Sequence, residues 1–282
     1  MSILLSIIVP TKNRYGTLIP VIQSITQYVD MNKCEVVISD NTFDNSQILP
    51  YLSDWNEKNI KYHHVEYSIS MVENTENAIS YAIGEYFIFI GDDDFVSPYI
   101  LDIVELIYKK GILSLTYPIA NYFYANVFFK KKYAYNNPST LQIIRDFDLE
   151  LRKVNPEKEL MKNTQIGSIF ITTLPRLYHG IIHYSVVYKI KEKYGKFVPG
   201  PCPDMTLSAA LSFVLDCYYH INYPVSISGA SPNSEGGKGP SNAHVVKISD
   251  KMWLNQKDVL DWDNNIPFIF SRETIWAQCM SH

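Results

Sequence analysis

Three adjacent carboxylates, Asp92, Asp93 and Asp94, stand directly after Gly91. Neighbouring carboxylates repel one another, and a fold tolerates that repulsion best where a cation neutralises it. Mg2+ or Mn2+, held by one or two carboxylates and completed by the phosphate oxygens of a substrate, suits such a site. Two further polar clusters precede it, Pro10-Thr11-Lys12-Asn13-Arg14 and Asp40-Asn41-Thr42. Taken singly, each is also an ordinary set of turn and cap residues. A later acid, Asp204, follows the proline-rich approach Pro199-Gly200-Pro201-Cys202-Pro203. That approach would hold the carboxylate rigidly, and Asp is equally suited to cap a helix there. His179 could line an acceptor site or simply pack. Lys238 and His244, in or just after the segment 229–242 (GASPNSEGGKGPSN), could reach a diphosphate or a metal, or be loop charge with no fixed role.

The elements around these residues are legible from apolar spacing. Residues 3–9 (ILLSIIV) form a near-continuous apolar run, the pattern of a parallel strand buried on both faces. Leu18, Val21, Ile22, Ile25 and Val29 then make a helical stripe with Pro20 in its first turn. Strands are expected at 34–39, 60–65, 86–90 and 113–117. Helices are expected at 70–83, where Ser70 and Glu73 form a capping box, and from Ser97-Pro98 onward. This alternation predicts an α/β domain with a mainly parallel sheet, whose ligands bind beyond the carboxyl ends of the strands. The three clusters follow three strands, so adjacent strands would bring them to one sheet edge. Beyond residue 118 the pattern is less regular. It predicts a Tyr- and Phe-rich ribbon at 121–135, a polar helical stretch at 140–162 and a strand at 166–172. Helices at 185–194 and 204–215, a strand at 217–227, a flexible loop at 229–242 and a Trp-bearing arm follow.

The 282 residues are 46% hydrophobic and 19% charged, enough for a sizeable core and too apolar for global disorder. A net charge of -4 with no basic cluster speaks against nucleic acid as a partner. The four cysteines (Cys34, Cys202, Cys217, Cys279) include no CxxC pair, which argues against a zinc knuckle or a disulfide framework. No apolar run reaches the about 18–20 residues of a membrane-spanning helix, and residues 1–10 lack the basic leader of a signal peptide. A cytoplasmic location is expected, with peripheral association at the inner face of the membrane left open.

The strings SIIVPTKNR (6–14), VVISDN (36–41) and NAISYAIGEYFIFIGDDDFVSP (77–98) resemble, in order and spacing, the family 2 glycosyltransferases of the GT-A fold. The resemblance implies a Rossmann-like, mainly parallel sheet sandwiched by helices, with a C-terminal helical and loop arm. It implies a catalytic domain over 1–228, with a nucleotide-binding half at 1–118 and an acceptor-binding half at 119–228, and an arm at 229–282. It implies an inverting transfer from a UDP- or dTDP-sugar to a hydroxyl of a glycan or lipid-linked acceptor, in the making of a surface polysaccharide. Pro10, Thr11, Arg14 and Asp40 would hold the nucleobase and ribose. Asp93 and Asp94 would bind Mn2+ or Mg2+, with Asp92 supporting the ribose or a metal-bound water and Lys238 reaching the donor. Asp204 would be the general base. The family's acidic motif usually reads Asp-x-Asp-Asp; aligned on Pro98, its first acid falls here on Gly91. Two rival readings are a sugar-nucleotide-binding protein without transferase activity and a haloacid-dehalogenase-like phosphatase. The second rests on the loose likeness of FIFIGDDDFV to that nucleophile motif, and it leaves PTKNR and SDN unexplained.

Overall fold

The structure is a computed structural model that describes residues 3–131, 137–251, 253–254 and 256–281. Through the first 118 residues the expected elements appear in order, joined by two that were not expected, α2 and β5: β1 (Leu5–Thr11), α1 (Tyr15–Tyr28), β2 (Cys34–Asp40), α2 (Leu52–Glu57), β3 (Ile60–His64), α3 (Met71–Ser80), β4 (Tyr86–Phe89), the short β5 (Phe95–Val96), α4 (Ile100–Lys109) and β6 (Ser114–Thr116). The capping box of α3 is present: Glu73 N donates to Ser70 Oγ and Ser70 N to Glu73 Oε2.

The second half departs from its expected pattern. The stretch 140–162 contains β8 (Thr140–Gln142), after β7 (Ala120–Phe123), then β9 (Asp148–Val154) and α5 (Pro156–Gln165). Pro156 opens α5 at its first turn, where proline lacks nothing the helix needs, so the polar composition concealed two strands. Residues 166–172 carry no strand, while β10 (Ile181–His183) was not expected. Then follow α6 (Tyr184–Tyr194), α7 (Pro203–Ser212), β11 (Tyr218–Asn222), β12 (Ser226–Ala230), α8 (Glu235–Lys238), α9 (Gln256–Leu260) and α10 (Arg272–Ser281). The strand expected at 217–227 is thus two strands in different sheets, and a boundary at 228/229 falls inside β12. The loop read as flexible contains α8, closed at its start by Ser234 Oγ accepting from Gly237 N. Residues 132–136 of the expected ribbon lie outside the described residues.

The main sheet has the order β3-β2-β1-β4-β10-β6-β11-β9, and the second β5-β12-β7-β8. β3, β2, β1 and β4 are parallel neighbours. β1 is buried on both faces: Ile7 and Val9 join α1 and α4 in one core cluster, while Ile8 joins α3, α6 and α7 in another. Each such fully buried branched side chain contributes about 1.5–3 kcal/mol, which is why this strand reads as an uninterrupted apolar run. A third cluster packs Trp262, Phe270, Ile275 and Cys279 of the C-terminal arm against Cys202 and Met205. Among the described residues no helix is long and apolar enough to cross a membrane.

Candidate active site

The strand order β2-β1-β4 brings the three polar clusters together. Thr11 ends β1 opposite Asp40 of β2, and Asn41 N donates to Thr11 O at 3.0 Å. On the other side β1 and β4 run in register with Ile8 opposite Phe89; continued for three residues, this sets Thr11 beside Asp92. Thr11 Oγ1 donates to Asp92 Oδ2 at 2.6 Å. From α3, Asn74 fixes the same loop by donating to Thr11 O at 3.1 Å and accepting from Ser39 Oγ at 2.8 Å. Lys12 Nζ donates to Asn41 Oδ1 at 2.9 Å, joining the first two clusters. Pro10 is half-buried at the end of β1.

The three adjacent acids have different surroundings. Asp92 Oδ1 lies 2.8 Å from Arg14 Nε, and Asp93 Oδ2 lies 2.7 Å from Arg14 Nη2. Arg14 also donates to Ser231 Oγ at 2.7 Å, and Ser231 N donates to Asp93 Oδ2 at 2.9 Å. Burial raises the Asp92 carboxyl to about 7, against the pull of Arg14. None of the described residues donates to Asp93 Oδ1, leaving one carboxylate oxygen without a partner.

Asp94 is the second acid expected at the metal. It is wholly buried, and both of its oxygens are used inside the fold. Oδ2 accepts from Gly91 N at 2.6 Å and Tyr178 Oη at 3.1 Å, and Oδ1 accepts from Gly229 N at 2.7 Å. His179 Nε2 stands 3.0 Å from Oδ2, while its Nδ1 pairs with Ser226 Oγ at 2.7 Å. Burial disfavours the charge on Asp94, yet His179 and the two glycine amides hold its carboxyl below the usual value. A carboxylate so enclosed is a structural pin between the two sheets. β12 can approach because residue 229 is glycine: a Cβ there would lie 1.7 Å from Asp93 O.

His179 is also fully buried and cannot line an acceptor site. It adopts φ 52, a left-handed conformation uncommon outside glycine. The buried Arg176 supports that turn, donating to the carbonyls of His179, Thr172 and Tyr117.

Asp40 is buried as well. Its Oδ2 accepts from Tyr15 Oη at 2.5 Å and Tyr62 Oη at 2.8 Å, and its Oδ1 from Thr42 N at 2.8 Å. Its carboxylate thus faces inward, held by Tyr15, Tyr62 and Thr42. Burial, with Asp40 as acceptor, raises the Tyr15 hydroxyl to about 12. Lys238 pairs with Glu235 Oε1 at 3.2 Å, while Glu235 Oε2 takes the largely buried Lys251 at 2.7 Å; among the described contacts none joins Lys238 to the three acids.

Asp204 is half-buried in the first turn of α7, after Pro203, and the N-cap residue is Cys202. Asp204 is therefore not the cap. Its Oδ1 accepts from the Cys202 thiol, whereas Oδ2 accepts no hydrogen bond from the described residues. It lies on the acid side of the molecule: the Tyr178 hydroxyl, raised by burial, is raised further by Asp94, Asp93 and Asp204 together.

Among the described residues no group of three or more His, Cys, Asp and Glu side chains forms a self-sufficient metal cage. The open Asp93 Oδ1 fits the other kind of site, in which one carboxylate oxygen is completed by ligand phosphates and water.

The sequence profile of Glycosyl transferase family 2 matches residues 6–173, more than half of the chain. No curated protein sequence matches it. The fold is similar to TarS from S. aureus in complex with UDP-GlcNAc, with TM-score 0.57 and 16% identity over 80% of this chain and 58% of that one. It is also similar to GalNAc-T7 with UDP, GalNAc and Mn2+, with TM-score 0.54 and 13% identity over 83% and 44% of the two chains. A mannosyltransferase from Pyrobaculum calidifontis with GDP-Man and Mn2+ gives TM-score 0.51 and 12% identity over 83% and 59%. The chain thus spans less than two thirds of the length of each.

Proposed function

The chain belongs to glycosyl transferase family 2, and from that premise we propose that it transfers a sugar from a nucleotide-diphosphate sugar, with UDP or dTDP as carrier, to a hydroxyl of a glycan or lipid-linked acceptor. A role in surface polysaccharide synthesis follows from such an acceptor, and a lipid-linked one would bring the enzyme to the inner face of the cytoplasmic membrane. The observation that carries the reading is the convergence of Thr11, Arg14, Asp92 and Asp93 at the carboxyl ends of β1 and β4, with Asp93 Oδ1 left open. Ligands of parallel sheets bind at that edge.

Asp93 is the residue that would hold Mn2+ or Mg2+, which when bound neutralises the charge gathering on the departing diphosphate. Asp92, tied to Thr11 and Arg14, shapes the wall beside it toward the ribose. Asp40 contributes to the nucleobase pocket through Tyr15 and Tyr62, which it orients. Asp204 is the general base. Its Oδ2, which accepts no hydrogen bond from the described residues, is the atom that takes the acceptor hydroxyl's proton as the bond to the anomeric carbon forms. One displacement from the face opposite the leaving diphosphate inverts the anomeric centre.

The test is calorimetric titration of UDP and dTDP into the protein, in Mn2+ and in EDTA. Affinity at least about tenfold weaker in EDTA is expected, equivalent to about 1.4 kcal/mol. Equal affinity in the two buffers would defeat the metal-dependent reading.

A further inference from the structure

The guanidinium of Arg14 sits where a cation would be needed. Its Nε is 2.8 Å from Asp92 and its Nη2 is 2.7 Å from Asp93, with Ser231 Oγ as a third partner at 2.7 Å. Both acids are almost withdrawn from solvent, at 5% and 4% exposure, and among the described residues Arg14 is the cation that meets both. A planar fork suits two carboxylates side by side, and it suits phosphate oxygens equally well. On the reading above, in which Asp93 takes a divalent cation, we propose that Arg14 is the resident counter-ion of the donor site and competes with that cation. Metal then enters with the nucleotide, not before it.

A divalent cation against Asp93 Oδ1 would face a guanidinium already on the same carboxylate, so metal alone binds weakly. A diphosphate changes the balance, because its oxygens offer Arg14 an equivalent bidentate partner and give the metal the ligands the protein lacks. Two features keep the acids in place when Arg14 leaves. Thr11 Oγ1 still donates to Asp92 Oδ2, and Ser231 N still donates to Asp93 Oδ2, at 2.6 and 2.9 Å. The site therefore survives the loss of its internal cation long enough to accept an external one.

The experiment is Mn2+ binding without nucleotide, read from the loss of the paramagnetic resonance signal of aqueous Mn2+, in the wild type and in Arg14→Gln. An opposite charge at contact distance shifts a carboxylate's affinity for a cation or proton by about tenfold to a thousandfold. Arg14→Gln should accordingly bind Mn2+ alone at least about tenfold more tightly than the wild type, and UDP should strengthen its Mn2+ binding less. Arg14→Lys, which keeps the charge and loses the fork, should fall between them. Melting curves establish that each variant is folded. If Arg14→Gln does not fold, the lysine variant decides, and Mn2+ affinity equal to the wild type overturns the exchange. Equal affinity in wild type and a folded Arg14→Gln overturns it too. UDP binding indifferent to EDTA would sink the metal reading itself, a separate outcome.

Discussion

Residues 3–118 and the remainder of the chain meet at one cluster of carboxylates, and they contribute unlike things to it. The first region supplies the acids, Thr11 and Arg14, all at the ends of parallel strands. The second supplies the groups that hold those acids: the amides of Gly229 and Ser231, the hydroxyls of Tyr124 and Tyr178, and His179. The difference is sharpest between Asp93 and Asp94. The first keeps one oxygen without a partner among the described residues, while the second has both oxygens hydrogen-bonded inside the fold. Chemistry is placed where strands end, and the rigidity that aims it comes from a second sheet built by distant sequence.

That comparison can be broken at several points. The largest effect is expected from Asp94→Ala, which strands His179, Tyr178 and two glycine amides in a dry interior. Removing one partner of a buried charged contact costs about 3–5 kcal/mol. Denaturant unfolding should show a loss of that order, and a variant as stable as the wild type would mean that Asp94 is not a pin. Asp204→Asn should lower transfer at least about 100-fold, near 2.7 kcal/mol, while melting and UDP affinity stay unchanged. The stability half of this expectation follows from Cys202, not Asp204, being the cap. Near-normal transfer in Asp204→Asn would show that Asp204 is not the base and that another group takes the acceptor's proton.

Tyr62→Phe removes one hydrogen bond to Asp40 and should cost about 1 kcal/mol of stability. It should leave UDP affinity close to that of the wild type, because Tyr15 and Thr42 still hold the carboxylate; a large loss of affinity would show that the Tyr62 hydroxyl itself meets the base. The smallest effect is expected at Lys238. Its pair with Glu235 is half exposed, and such pairs contribute about 0–1 kcal/mol. Lys238→Ala should change stability by no more than that and UDP affinity by less than about threefold. A tenfold loss of UDP affinity would restore it to the donor site.

The first region was legible because its signals are local. A doubly buried strand reads as ILLSIIV, the capping box of α3 lies within four residues, and each polar cluster directly follows its strand. The second region was not, because its roles depend on register between distant segments. Nothing in GASPNSEGGKGPSN marks Ser231 as the donor to Asp93, and nothing near Gly229 announces the backbone it must approach. Polar β9 resembled helix because it is an edge strand, with much of its surface in water. His179 stood out by type, but only its position under Asp94 separates a supporting residue from one that touches an acceptor. The order of Asp93 and Asp94 in the chain could not tell which carboxylate faces the cleft.

The account depends most on Asp93 as the open carboxylate. Its most direct test is UDP titration in Mn2+ with Asp93→Asn, alongside a melting curve of the same variant. Asn keeps an acceptor for Ser231 N but loses the charge that holds a cation. The account predicts UDP affinity at least about tenfold weaker, with the fold intact. Unchanged UDP affinity in a folded Asp93→Asn would contradict it.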